Sequence, residues 1–306
     1  MLFRRFSLLA AACCALGLSG CPMDRPAPGV VRLKDVTYAQ AWQRVLLSER
    51  FRERPLKMDI VRPADAAESP APAVVMVHGG GFTDGSRDDG NLVDLAARLA
   101  QAGYVCFLID YRVAPKPPDA PEDLELPESL LALDLSDEEL AYLLAAAHAA
   151  AVDTRAAIRH VRANAEGYGI DPKRIAVLGE SAGAFAALAA GFTPPEDFAG
   201  DEGYPVNDAN APGVSVAVDS VVSLWGNGDH VLDDLMPDSP ALLLVHGTAD
   251  SEPGTPFEAS ERLYDAAAEA GVPATLVPVP GADHGAWDFE VDGKDLADWV
   301  IAFLGR

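Results

Sequence analysis

The stretch that most constrains this chain is Gly179-Glu180-Ser181-Ala182-Gly183. It follows an apolar run, Arg174-Ile175-Ala176-Val177-Leu178, and opens a run of small and apolar residues from Ala184 to Gly191. That order spells a buried strand, a turn too tight for side chains at its two glycines, and a helix. A serine at the tip of such a turn is held in a strained backbone conformation with its hydroxyl exposed. The N-terminus of the following helix faces any negative charge that develops in front of it. Five residues point to a nucleophile without establishing one. An attacking hydroxyl also needs a base, a group that orients the base, and donors for the oxyanion.

The rest of the chain supplies a scaffold of the same kind. Strands are expected at Val30–Tyr38, Leu56–Val61, Ala73–Val77 and Tyr104–Ile109, with a helix over Leu92–Ala102 stopped by Gly103. From Val152 the alternation resumes: helix to about Glu166, strand 174–178, helix 182–190, strands 217–224 and 241–245, helix 257–270, strand 274–278 and helix 293–304. Helices alternating with apolar strands predict an α/β fold, a mostly parallel central sheet with helices on both faces. Ligands of such folds sit at the carboxyl ends of the strands, where His78, Ser181, Trp225, His246 and His284 fall. The segment 113–151 breaks the pattern. A Pro-rich acidic loop and several leucines lead into Ser136-Asp137-Glu138-Glu139, a capping box that opens a helix. The segment is either a small lid insertion or a leading extension of the helix through Val161.

The first residues read as an address. Arg4 and Arg5 precede an apolar run, Phe6 to Leu18, too short to span as an ordinary transmembrane helix. Leu18-Ser19-Gly20-Cys21 resembles the lipobox of bacterial lipoproteins. The resemblance implies a signal peptide over residues 1–20, lipidation at Cys21, a tether over 21–29, and a catalytic domain over 30–306. It also implies export to the bacterial cell envelope, on the outer membrane if the cell is Gram-negative, with membrane attachment through the lipid anchor only. Cys106 then remains as the one thiol of the mature domain, inside an apolar strand, and reads as a packing residue. With 23 Lys+Arg against 47 Asp+Glu, net charge −24, the composition argues against nucleic acid as a partner and against electrostatic adhesion to anionic membranes.

The remaining parts of an acyl-transfer site can be sought by order along the chain. His78-Gly79-Gly80-Gly81 follows an apolar strand and can present unencumbered N–H groups; Gly80 and Gly81, with Ala182, are the expected oxyanion donors. Among six histidines, His284 lies in a loop after a late strand and is the expected base, with His230 in reserve. Asp250, just beyond the strand 241–245, is the expected orienting acid, with Glu252 and Asp283 as rivals. Phe82 and Trp225 are candidates to line a substrate pocket. No HExxH or paired Cys/His spacing suggests a metal, and no phosphate-binding loop is present.

The order Ser181…Asp250…His284, the HGGG run, GESAG, Asp110-Tyr111-Arg112 after a strand, and HGTAD together resemble the α/β-hydrolase fold. Within that fold the chain is similar to HGGG-type carboxylesterases, in particular the feruloyl-esterase-like and acetyl-esterase-like branch, from about Val36 to Phe303. It departs from the hormone-sensitive-lipase pattern at Glu180 and Ala184, and it lacks a long N-terminal cap. The resemblance implies a serine carboxylic-ester hydrolase that needs no cofactor and acts on short-chain or aryl esters, as small molecules or linked to polysaccharide. An amide hydrolase of the formamidase or aminopeptidase type would use the same triad, and a non-catalytic envelope lipoprotein is the alternative of a different class.

Overall fold

Neighbouring residues of the central strands send their side chains to opposite faces of one sheet. Val74, Met76, Cys106, Leu108, Ala176 and Leu178 pack in one buried cluster, while Val75, Val77, Phe107, Ile109 and Val177 pack in another. Such strands are apolar on both faces, which is the sequence signature of a sheet covered on both sides. The computed structural model describes residues 27–44, 51–65, 69–114, 136–194, 198 and 213–306. The expected signal segment, Cys21 and the Pro-rich part of 113–151 lie outside these residues.

The sheet has eight strands: β1 (Val30–Arg44), β2 (Phe51–Pro63), β3 (Ala71–Val77), β4 (Val105–Ile109), β5 (Ile170–Glu180), β6 (Ser220–Leu224), β7 (Ala241–Gly247) and β8 (Ala274–Val279). Their order across the sheet is β1-β2-β4-β3-β5-β6-β7-β8. From β4 to β8 every neighbouring pair is parallel, and β2 is antiparallel to both β1 and β4. The β1–β2 hairpin runs well past the expected strands, pairing from Val30↔Pro63 to Arg44↔Phe51. Its outer part carries polar runs, Gln43-Arg44 on β1 and Arg52-Glu53-Arg54 on β2, so a search for continuous apolar runs stops short there.

Helices α1 (Gly90–Gln101) and α5 (Leu296–Leu304) cover one face of the sheet. Helices α2 (Asp137–Ala163), α3 (Ala182–Phe192) and α4 (Phe257–Ala270) cover the other. The two helical stretches read separately around residues 136–151 and 152–166 form one continuous helix, α2, because no glycine or proline interrupts them. Its capping box is complete: Glu139 N–H donates to Ser136 Oγ at 3.3 Å and the Glu139 carboxylate accepts from Ser136 N–H at 2.9 Å. Ala145, Ala146, Ala147, Ala149, Ala150 and Ala151 are all buried, so this half of α2 packs against the body of the domain. Alanines on α2 and α3 let the two helices approach closely. Cys106 lies fully buried in β4, where burial pushes its thiol well above the ordinary range.

Register brings the working ends together. Val77 pairs with both Ile109 and Gly179, Glu180 with Leu224, and Gly247 with Val279. The carboxyl ends of β3, β5, β6, β7 and β8 therefore share one edge of the sheet, and the loops that leave them meet above it.

Candidate active site

Ser181 stands between β5 and α3 with φ 54° and ψ −122°. For a residue with a Cβ this is strained, worth roughly 1–3 kcal/mol, and the surroundings must impose it. They do so by close approach. A Cβ on Gly183 would lie 2.3 Å from Val77 O, and one on Gly179 would lie 2.0 Å from Gly183 O. Only bare backbone fits at both positions. Ser181 N–H donates to Leu224 O at 2.9 Å, which fastens the turn to β6.

The expected base and acid come from the loops after β8 and β7. His284 Nε2 is 2.9 Å from Ser181 Oγ, and His284 Nδ1 is 2.8 Å from Asp250 Oδ2. A carboxylate only accepts, so Nδ1 carries the proton and Nε2 offers its lone pair to the serine hydroxyl. Burial works against a charged His284, but the Asp250 hydrogen bond and the negative charges of Asp250, Glu252 and Glu180 outweigh it and raise its pKa above the usual histidine range. Burial likewise works against ionised Asp250. Donors from His246, His284 and the Glu252 N–H prevail and hold its carboxyl well below the usual range.

The loop after β3 supplies N–H groups. Gly80, Gly81 and Phe82 all have positive φ, 109°, 60° and 59°, so the chain turns sharply in front of α3. Among the described residues no backbone or side-chain acceptor takes the N–H of Gly80, Gly81 or Ala182. The first N–H groups of a helix have no partner within it, so Ala182 N–H is available by construction. The loop is braced from beneath: Gly79 N–H donates to the Glu180 carboxylate, and Tyr111 Oη donates to His78 O at 3.0 Å. Its far end is tied by Arg87, whose N–H donates to Asp110 Oδ1 at 2.9 Å and whose guanidinium reaches Asp59 at 2.8 Å and Asp35 at 2.6 Å.

The structure thus brings Ser181, His284 and Asp250 into contact and sets Gly80, Gly81 and Ala182 on the loop and helix beside them. The other candidates go elsewhere. Asp283 accepts from Ser251 N–H at 2.8 Å and from its own neighbour His284 N–H, so it braces the loop rather than the imidazole ring. His230 stacks on Phe185 at 3.6 Å, and burial pulls its pKa down to about 3. Trp225 requires a correction. Expected at a pocket wall, it has no exposed surface. Its indole meets Trp287 edge-on at 4.8 Å and its Nε1–H donates to Glu180 Oε2 at 3.3 Å, so it supports the turn from inside. Phe82 is 6 % exposed and packs edge-on against Phe185 at 5.6 Å, closing the Gly80–Gly81 loop over α3.

Two residues that matter here carry no role in the sequence reading. Glu180, directly before the serine, receives Gly79 N–H and Trp225 Nε1–H, and burial raises its pKa. His246 meets the Asp250 carboxylate from the end of β7. The signal for Glu180 was its place in the motif; for His246 it was the strand end.

Known proteins show the same arrangement of chain. The sequence matches the BD-FAE family over residues 58–125 and 141–236. It is 34 % identical over 173 residues to esterase LipC of Mycobacterium tuberculosis, a stretch covering 56 % of this chain and 34 % of that protein. The esterase Est2 of Thermogutta terrifontis superposes with a TM-score of 0.61 at 22 % identity, covering 91 % of this chain and 90 % of that one. A truncated carbohydrate esterase from gut microbiota superposes with a TM-score of 0.61 at 22 % identity, covering 92 % and 98 %. The sheet order, the helices on both faces and these superpositions make the fold that of an α/β-hydrolase.

Proposed function

This chain belongs to the BD-FAE family, and from that premise we propose that it is a serine carboxylic-ester hydrolase of the HGGG type, acting on short-chain or aryl esters. The observation that carries the reading is the unbroken chain of contacts from Ser181 Oγ to His284 Nε2, 2.9 Å, and from His284 Nδ1 to Asp250 Oδ2, 2.8 Å. Ser181 Oγ attacks the ester carbonyl carbon while His284 Nε2 takes its proton. Asp250 holds the ring in the accepting tautomer and stabilises the imidazolium. The carbonyl oxygen, now negative, rests on the N–H groups of Gly80, Gly81 and Ala182. Collapse of the tetrahedral species breaks the bond to the alcohol, which leaves with the proton from His284. Water, activated by the same ring, then releases the acid from Ser181.

Small acids are favoured on two grounds. Phe82 and Phe185, on the loop and helix that flank Ser181, pack edge-on at 5.6 Å, and Est2 of Thermogutta terrifontis has been solved with propionate and with butyrate. We propose further that Cys21 is lipidated and anchors the enzyme to the bacterial cell envelope, a reading supported by the lipobox-like Leu18-Ser19-Gly20-Cys21; Cys21→Ser should then release it from membranes into the soluble fraction.

The test of the activity is direct. Ser181→Ala and His284→Ala should each lower kcat on short p-nitrophenyl esters by about 10⁴–10⁶-fold. Native protein should react with a fluorophosphonate probe, and heat-denatured protein should not. Wild-type turnover in either variant would overturn the assignment.

A further inference from the structure

Asp250 Oδ2 is shared between two imidazoles. His284 Nδ1 lies 2.8 Å from it and His246 Nε2 lies 2.9 Å from it. His246 sits in β7, and neither its side chain nor that of Asp250 has any exposed surface. The two nitrogens of His246 meet different partners. Nε2 faces two acceptors, Asp250 Oδ2 and Thr255 O at 3.0 Å. Nδ1 faces Ser260 Oγ at 2.7 Å. A nitrogen flanked by a carboxylate and a carbonyl carries the proton, which leaves the other as a lone pair that receives the serine hydroxyl hydrogen. Ser260 lies in α4 and is 2 % exposed, so the tautomer is set from within the core.

We infer that His246 is a positioning residue for the acid: its Nε2–H holds Asp250 Oδ2 where that oxygen orients His284, and Ser260 locks the tautomer that makes this possible. The inference rests on reading Ser181, His284 and Asp250 as an acyl-transfer triad. Its physical content is a change of anchor. Asp250 is carried on the loop that follows β7, and that loop also supplies the Glu252 N–H to Oδ1 at 2.9 Å and the Thr255 hydroxyl to Oδ2 at 3.4 Å. His246 adds a donor from the sheet itself, backed by a helix. The carboxylate is thereby fixed to the rigid part of the domain, and so is the imidazole that reads it.

The charged groups around this pair set the sign of the expected pH effect. His284 is the cation that forms during the reaction, while Glu252, Asp283 and Glu180 are the carboxylates that interact with Asp250 or His284. Phe257 of α4 meets the His246 ring edge-on at 5.8 Å and brings no charge. Removing the His246 donor leaves a buried carboxylate with more unshared negative charge, which binds the His284 proton more tightly. The base then becomes available only at higher pH.

The experiment compares wild type, His246→Leu, His246→Gln and Ser260→Ala on a short p-nitrophenyl ester across pH, with Ser181→Ala as the blank. His246→Leu should lower kcat about tenfold or more with KM within about twofold, because the lost contact orients the base rather than the substrate. Its acid limb of kcat/KM should move to higher pH. His246→Gln, whose amide N–H can reach the same oxygen, should recover most of the rate and the wild-type limb, and Ser260→Ala should fall between. Folded His246→Leu with wild-type kcat and limb, or Leu and Gln variants that behave alike, would overturn the inference. Should the Leu variant fail to fold, nitrogen chemical shifts of the histidines in the wild-type protein decide. His246 protonated on Nε2 is expected, and protonation on Nδ1 would overturn it. A Ser181→Ala protein with undiminished turnover would instead sink the triad reading itself, so the two failures are distinguishable.

Discussion

On one side of Ser181 the proposed base and acid are held by side chains. His284, Asp250, His246, Thr255 and Ser260 form a continuous set of hydrogen bonds centred on a single carboxylate. On the other side the N–H groups proposed as oxyanion donors are held by backbone shape. Gly79, Gly80 and Gly81 turn through conformations and contacts that leave no room for side chains at the first two, and the braces from Glu180, Tyr111 and Arg87 act on the loop from behind. The difference teaches where each side is fragile. The acid–base side fails when a group is taken away, because a charge or its partner is lost inside the protein. The oxyanion side fails when an atom is added, because its geometry depends on empty space.

The largest effect should come from breaking the acid–base side at its centre. Asp250→Asn keeps the shape and removes the charge. The amide can donate to His284 Nδ1 and favour the wrong tautomer, so kcat should fall about 10⁴-fold. Steady-state rates on a p-nitrophenyl ester read this, and a loss of less than about tenfold would show that the orienting charge lies elsewhere. Next in size is the addition of one methyl to the other side. A Cβ at Gly79 would lie 2.6 Å from both Glu180 oxygens, so Gly79→Ala must shift the loop or the carboxylate. Misplacing one oxyanion donor costs about 10²–10³-fold in kcat, and the variant should stay folded by circular dichroism.

A third prediction uses pH to separate the two sides. His284 must be neutral to accept the serine proton, and its pKa is raised, so kcat/KM should rise through an acid limb above pH ~6.5, the ordinary histidine value. The negative charge of Glu180 contributes to that raised value. Glu180→Gln should therefore move the limb to lower pH, opposite to the shift expected for His246→Leu. It should also lower kcat by a few fold, since one amide cannot accept from both Gly79 and Trp225 through its nitrogen end. Limbs that move in the same direction for both variants would remove the electrostatic distinction between the sides.

The strand–turn–helix at Ser181 was legible because everything that defines it is local: an apolar strand, two glycines around a serine, and a helix of small residues. The parallel core was legible for the same reason, since strands buried on both faces read as continuous apolar runs. The outer half of β1–β2 was not, because Gln43-Arg44 and Arg52-Glu53-Arg54 are polar runs that give no strand pattern of their own. Contacts across long separations were the other blind spot. Glu180 meets Gly79 across 101 residues, and nothing in either stretch says so. His246 was visible as a strand end, but its use depends on Ser260 lying one helix further along and Asp250 folding back over the ring. Trp225 was misjudged because a strand end lies near the site whether its side chain points out or in. With φ of 39° it turns back into the core.

The smallest effect tests whether the oxyanion side is held by shape or by its braces. Tyr111 lies beside His78, their rings stacked at 4.3 Å, and its hydroxyl donates to His78 O at 3.0 Å. Tyr111→Phe removes that donor and leaves the stacked ring, the Gly79–Glu180 bond and the tie through Arg87 in place. A buried hydrogen bond of this kind contributes about 1 kcal/mol, so the denaturation midpoint should fall modestly while the slope stays constant. Because the turn of the loop is set at Gly80 and Gly81, kcat should drop no more than about fivefold and KM should hardly change. If Tyr111→Phe instead costs as much catalysis as Gly79→Ala, the loop is positioned by a side-chain hydrogen bond after all. The two sides of the site would then be built alike, and the asymmetry between removing and adding atoms would be lost.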